Sequence, residues 1–121
     1  MSENTYAAGQ SDTRPWGDWM VLDAGPGYVV KRIRVKPGGV LSLQRHKHRA
    51  EDWTIVAGRA RVTLGARVFD LGAGESTHIA LGETHRIANP GAEEVVFIEV
   101  QTGALLDEND IERLEDHYGR T

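Results

Sequence analysis

The chain has 121 residues, enough for one domain with one modest core, and no apolar run reaches membrane-spanning length. A formal net charge of −4 gives no electrostatic support for nucleic-acid binding, and zero cysteines exclude disulfides and thiolate metal sites. With 40% hydrophobic and 26% charged residues the composition is that of an ordinary globular protein, so no nucleic-acid or membrane partner is expected, and the cytoplasm is the expected compartment.

In chain order, Met1–Thr13 is polar and pattern-free and lacks the apolar stretch of a signal peptide. It reads as a flexible N-terminal tail before a single domain over 14–121. Strands are expected over Trp19–Leu22 and Tyr28–Lys36. In the second, Val29, Lys31, Ile33 and Val35 share a face by period-two alternation. A lysine on an apolar face either snorkels outward or aims a cation into a cavity. A continuous strand over Val40–His48 would put Val40, Ser42, Gln44, His46 and His48 on one side, a poor hydrophobic core and a reasonable polar cavity wall. Further strands are expected over Trp53–Val56, Ala60–Leu64, Arg67–Leu71, Ser76–Ala80 and Glu94–Gln101. Asn109-Asp-Ile-Glu112 resembles a helix N-cap, and Ile111, Leu114 and Tyr118 make a helical stripe, so one short C-terminal helix is predicted. The 14 glycines cluster at turn-like positions between these runs, which points to an all-β antiparallel sandwich or barrel.

The histidines carry the chemistry. His46 and His48 lie two apart, Glu51 follows, and Gly58 comes seven positions after the glutamate, the spacing of a first cupin motif with its leading glycine (Gly39) displaced by one residue. Gly74, Ala80, Gly82, His85 and Asn89 fit the second cupin motif, with Ala80 in place of the usual proline. A mixed shell of imidazoles and a carboxylate suits a divalent transition metal, with Zn, Mn, Co, Ni or Fe all open. The proposed ligands are His46, His48, Glu51 and His85. Glu51 is preferred to Asp52 because it shares strand parity with Trp53 and Ile55. His78 and His117 match neither motif and read as solvated structural residues.

Together these segments resemble the type II mannose-6-phosphate isomerase domain, a member of the cupin superfamily. The resemblance is carried by Arg14-Pro-Trp-Gly17, Leu22-Asp-Ala-Gly-Pro-Gly-Tyr28, Leu41-Ser-Leu-Gln44, His46-Lys-His-Arg-Ala-Glu51, His85-Arg86, Asn89-Pro-Gly91, Ile98-Glu-Val-Gln101 and the ending from Asp110 to Arg120. The family commonly has His where this chain has Asp52, and often a third His at Lys47. Its module usually follows a mannose-1-phosphate guanylyltransferase domain, and no signature of that domain occurs in these residues.

The resemblance implies a cupin-type double-stranded β-barrel, or jelly roll, and a stand-alone isomerase that interconverts mannose 6-phosphate and fructose 6-phosphate with a divalent metal. It implies catalytic roles for Glu51, Glu99 and Gln101, phosphate contacts from Lys31, Arg14 and Arg86, and sugar contacts from Gln44 and Trp53. The sugar phosphate is the expected partner, with a homodimer closing the pocket. Two rival functions remain: a non-catalytic sugar-phosphate or sugar-nucleotide binding cupin, and a cupin dioxygenase using redox iron.

Overall fold

The computed structural model describes residues 3–119; Met1, Ser2, Arg120 and Thr121 lie outside the described residues, and with them the last residue of the family resemblance. The described strands are β1 (Glu3–Asn4), β2 (Ser11–Arg14), β3 (Gly17–Gly25), β4 (Tyr28–Val35), β5 (Leu43–Arg45), β6 (Arg49–Ala57), β7 (Ala60–Leu64), β8 (Arg67–Leu71), β9 (Ser76–Ile79), β10 (His85–Ala88), β11 (Val95–Gly103), β12 (Leu105–Leu106) and β13 (Glu112–Glu115). They form a six-stranded sheet in the order β2-β3-β4-β11-β6-β9 and a five-stranded sheet in the order β13-β5-β10-β7-β8. A parallel pair, β1-β12, completes the set.

Alternation decides what fills the interior. On β4 the odd residues Val29, Lys31, Ile33 and Val35 are buried, and on β11 so are Val95, Phe97, Glu99 and Gln101. On β6 the buried set is Arg49, Glu51, Trp53 and Ile55. Residues directly opposite in a ladder share a face, so the pairings arrange these side chains in rows across the sheet. Ile33, Phe97 and Ile55 make an apolar row, Lys31, Glu99 and Trp53 the next, and Val29, Gln101 and Glu51 the one after. In the five-stranded sheet, Arg113, Gln44, His85 and Leu64 occupy one row across β13, β5, β10 and β7. The barrel is therefore apolar towards Val35 and Val95 and polar towards Glu51. Gly58, at φ +79°, turns the chain between β6 and β7; a side chain there would bring its Cβ to 2.5 Å from the Glu94 carbonyl oxygen.

Three expectations are corrected. The strand predicted over Val40–His48 is not continuous: Val40 makes an isolated bridge to Ala88, β5 covers only 43–45, and the chain bends at 46–48 before β6. It has to bend there, because β5 belongs to one sheet and β6 to the other. Alternation does not survive the bend. The predicted C-terminal helix is absent, and no helix occurs among the described residues. Glu112–Glu115 instead pairs antiparallel with β5, satisfying an edge that would otherwise leave backbone groups unpaired. Asp110, read as part of a helix cap, spends its carboxylate on the backbone N–H groups of Lys47 and His48.

The third correction concerns the N-terminal segment. Residues 3–13 carry β1 and most of β2, and Tyr6 between them is buried against Trp19, with ring centroids 6.4 Å apart. One aromatic residue, with Asn4 donating to the carbonyls of Gly25 and Tyr28, ties down a stretch whose polar composition reads as a tail. Tyr6→Ala is expected to lower unfolding free energy by about 3 kcal/mol, the cost of deleting a buried aromatic side chain. Urea denaturation checks it, and a free tail would show no change.

Candidate metal centre

His46, Glu51 and His85 come together between the sheets, each offering one ligand atom, with all three atoms within 4.8 Å of one another. Glu51 Oε2 lies 3.3 Å from His46 Nε2, and Glu51 Oε1 lies 3.9 Å from His85 Nε2. Both rings are oriented from behind. His46 Nδ1 sits 2.6 Å from the carbonyl oxygen of Asp110, and His85 Nδ1 sits 2.8 Å from that of Glu83. A carbonyl can only accept, so each Nδ1 carries the proton and each Nε2 presents a lone pair inward. Burial holds His46 down at about 4, which keeps it neutral at pH 7.

The fit to a cation can be read from what the donors do without one. Arg49, itself buried, donates from Nε to Glu51 Oε2 at 2.8 Å and reaches His46 Nε2 from NH2 at 3.3 Å. The guanidinium supplies positive charge where carboxylate and imidazole ask for it. His85 Nε2 is left buried with no hydrogen-bond partner, an expensive state for a nitrogen lone pair. Two inward lone pairs, one of them otherwise unpartnered, and one carboxylate suit a divalent transition ion.

Two carboxylates stand side by side here, and their surroundings push them in opposite directions. Burial works against the charge of Glu51, but Arg49 and then His46 outweigh it and hold Glu51 well below the usual carboxylate range. Burial, and then the Glu51 charge, push Glu99 well above that range, so Glu99 keeps its proton more readily. Trp53 Nε1 bridges them, 3.0 Å from Glu51 Oε1 and 3.1 Å from Glu99 Oε1, and Gln101 Nε2 donates to Glu99 Oε2 at 2.8 Å. For Arg49, burial opposes the charge, while Glu51 and Glu99 outweigh it and hold the guanidinium protonated.

The chain matches, over residues 2–116, the family described as mannose-6-phosphate isomerase C-terminal. It belongs to that family. It is 55% identical over 108 residues to the xanthan biosynthesis protein XanB of Xanthomonas campestris pv. campestris, covering 89% of this chain and 23% of that protein. It is 54% identical to the mannose-1-phosphate guanylyltransferase ManC of Salmonella typhimurium, covering 88% of this chain and 22% of ManC, and 50% identical to the alginate biosynthesis protein AlgA of Pseudomonas aeruginosa, covering 95% and 25%. The chain thus spans about a quarter of the length of these relatives. The fold is shared with an oxalate decarboxylase of Lactobacillus farciminis at a TM-score of 0.75 and 23% identity, covering 87% of this chain and 33% of that one. It is shared also with a double-stranded β-helix protein of Klebsiella pneumoniae at a TM-score of 0.70 and 24% identity, covering 80% and 78%. The all-β cupin fold expected from the sequence is the fold of this family member.

Against the cupin pattern, the sequence-derived site residues divide. His46, Glu51 and His85 converge; His48 does not. Beyond the bend His48 is exposed, and its backbone N–H is held by Asp110 Oδ2 at 2.9 Å. Gln44, two residues before His46 and directly opposite His85, faces the same cavity. Asp52 points outward, with His78 Nδ1 2.7 Å from its Oδ1, and His117 is exposed, both away from the cluster. Trp53 is only 2% exposed, between His85 and Phe97, so its ring is core and its indole N–H a carboxylate holder, not an open platform for a sugar.

Of the basic candidates, Lys31 and Arg14 line the cavity, whereas Arg86 turns off it, donating to the Leu41 carbonyl at 2.9 Å and pairing with Glu115 at 3.1 Å. Sequence reasoning gave no role to Arg49 or to Arg113, the latter lying within the predicted helix. Strand parity with Glu51 was the available signal for Arg49. Nothing in the local pattern of 109–118 announces a strand. Asp110 was also missed: its carbonyl holds the His46 ring and its carboxylate holds the next two backbone N–H groups. Asp110→Ala is expected to loosen the 46–48 bend and lower bound metal by about tenfold in affinity, the usual effect of removing an outer-sphere support. His48→Ala is expected to leave metal content unchanged, and His85→Ala to remove most of it. Elemental analysis after dialysis against graded chelator distinguishes the three.

Proposed function

We propose that this domain is a metal-dependent aldose–ketose isomerase that interconverts mannose 6-phosphate and fructose 6-phosphate through an enediol. The observation that carries the reading is the pair of adjacent buried carboxylates, bridged by Trp53 Nε1 and pushed in opposite directions by their surroundings, beside two inward-facing imidazole lone pairs. Groups whose environments push their pKa values apart divide ligand and proton-transfer roles between them.

His46, Glu51 and His85 would hold the ion, with the side-chain carbonyl of Gln44 as the fourth donor in place of His48. A divalent ion there would polarise the two neighbouring sugar oxygens and favour the enediolate. Glu51, anionic and tethered by Arg49 and Trp53, is the ligand and is poorly placed to act also as base. Glu99 is the proton carrier: its carboxyl is raised towards neutrality, the range in which a group both takes and returns a proton. Gln101 is its positioning residue, fixing Oε2 from the neighbouring odd position of β11. Trp16, buried at the cavity wall, helps exclude water from the enediol. The family membership, and relatives named as a xanthan biosynthesis protein and a mannose-1-phosphate guanylyltransferase, support a sugar-phosphate substrate. The setting we propose is cytoplasmic; among the described residues no helix is long and apolar enough to cross a membrane.

The test is incubation of the metal-loaded protein with mannose 6-phosphate in deuterated water. Deuterium should enter at C2 of mannose 6-phosphate or C1 of fructose 6-phosphate, alongside net conversion, and stop on chelation. Glu99→Gln should lose at least about a hundredfold of the exchange rate, the low end of a general acid–base contribution, while retaining metal. Tight binding of mannose 6-phosphate without exchange or conversion would favour a non-catalytic binding cupin.

A further inference from the structure

Beside the metal cluster, the cavity lined by Arg14, Lys31, Arg49, Glu51, Glu99, Glu108 and their neighbours has a volume of about 60 Å³. That is well below the roughly 300 Å³ of a small-molecule site, and part of its wall is a side chain carried on a turn and not on a sheet, Glu108.

Glu108 sits in the turn between β12 and β13, with its side chain 38% exposed, yet its carboxylate reaches inward. Lys31 Nζ donates to Glu108 Oε2 at 3.0 Å, the Tyr6 hydroxyl donates to the same oxygen at 2.5 Å, and Arg14 NH2 lies 3.9 Å from Oε1. Lys31 is held rigidly for this purpose, its ammonium 4.5 Å from the Tyr6 ring centroid and 4.3 Å from that of Trp19. Two hydrogen-bond donors and a third, more distant cation converge on one carboxylate and form a ready anion site, and that carboxylate is attached to a turn.

Arg113 adds a second observation. It lines the same cavity from β13, its Nε is buried without a hydrogen-bond partner, and it makes no ion pair among the described residues. Each other cavity cation is matched: Arg49 to Glu51, Lys31 to Glu108, and Arg14 to Asp12 and Glu108. A group with two negative charges would satisfy Arg113 and replace Glu108 at once, which a neutral sugar does not.

We propose that the Glu108 carboxylate marks the phosphate subsite: it is a resident anion that the ligand's phosphate displaces from Lys31, Tyr6 and Arg14, while Arg113 supplies the unmatched positive charge. This rests on the sugar-phosphate reading of the site and names the residues that recognise its anionic end. It also reassigns Lys31 from a free cation to one whose availability Glu108 controls. When Glu108 occupies the subsite, the apparent affinity for phosphate is reduced by the fraction of molecules in which it has swung away.

The probe is inorganic phosphate, titrated into the full chain with and without metal and followed by the fluorescence of the cavity tryptophans. Glu108→Gln is expected to tighten phosphate binding by about fivefold or more, because the competing charge is gone. Arg113→Gln is expected to weaken it by about tenfold or more, and Arg113→Lys to weaken it less. In the wild-type protein, phosphate should also shift the carboxyl carbon resonance of a labelled Glu108, a readout that does not depend on any variant folding. Phosphate affinity that is unchanged or weaker in Glu108→Gln, or unchanged in Arg113→Gln, or an unmoved Glu108 resonance, overturns the proposal. Deuterium exchange judges the isomerase separately. Exchange with phosphate binding indifferent to Glu108 leaves the enzyme and removes this subsite, and the reverse pattern leaves the subsite and removes the enzyme.

Discussion

Glu51 is an anion with 1% of its surface exposed, in a barrel small enough that no water layer can screen it. An isolated carboxylate in that position would cost several kcal/mol of desolvation or take up a proton. It does neither because Arg49 lies two residues away on the same strand face and Trp53 two residues away on the other side, both turned inward by the same alternation. Three successive odd positions of β6 thus provide a charge, its counter-charge and a hydrogen-bond donor. The rest of the polar interior adjusts to that anion. Glu99, brought opposite Trp53 by the β11 register, lies close enough to Glu51 that both cannot ionise freely, and holds its proton instead.

The segment from β12 to β13 has no secondary structure of its own until it reaches the edge of β5, yet it holds Arg49, Lys31 and His46 in the interior. The Asp107 carbonyl accepts from Arg49 at 3.3 Å, Glu108 closes on Lys31 and Tyr6, and Asp110 secures His46 and the bend after it. These contacts are made within four residues of one another, so the anionic subsite and the His46 ring are held by the same short stretch of chain and not by the sheets.

The apolar half of the barrel and the polar half are produced by one pattern. On β4, β6 and β11 alternation never breaks between the hydrophobic residues at one end and the charged ones at the other, so a lysine, two glutamates and a glutamine enter the interior by the same rule as valine and phenylalanine. This is why Lys31 and Glu51 could be placed inward from the sequence, whereas Glu99 and Gln101 share the buried face of β11 with Val95 and Phe97, opposite the β-branched face of Val96, Ile98 and Val100. Arg49 obeys the rule as well.

The sequence by itself determined the all-β class, the turn positions, the inward residues of β4 and of β6 from Glu51 on and, through the two histidine motifs, the neighbourhood of the candidate metal site. These depend on period-two alternation and glycine placement, which are local. Only the tertiary structure decided that the chain bends between β5 and β6, which turns His48 out and leaves Gln44 facing His85. Only it decided that residues 112–115 are a strand, because the decisive term was the open edge of β5 about 70 residues earlier in the chain, and an i, i+3 apolar stripe holds no information about a distant unpaired edge. The capture of Lys31 by Glu108 is of the same kind, a pairing 77 residues apart that no local spacing encodes.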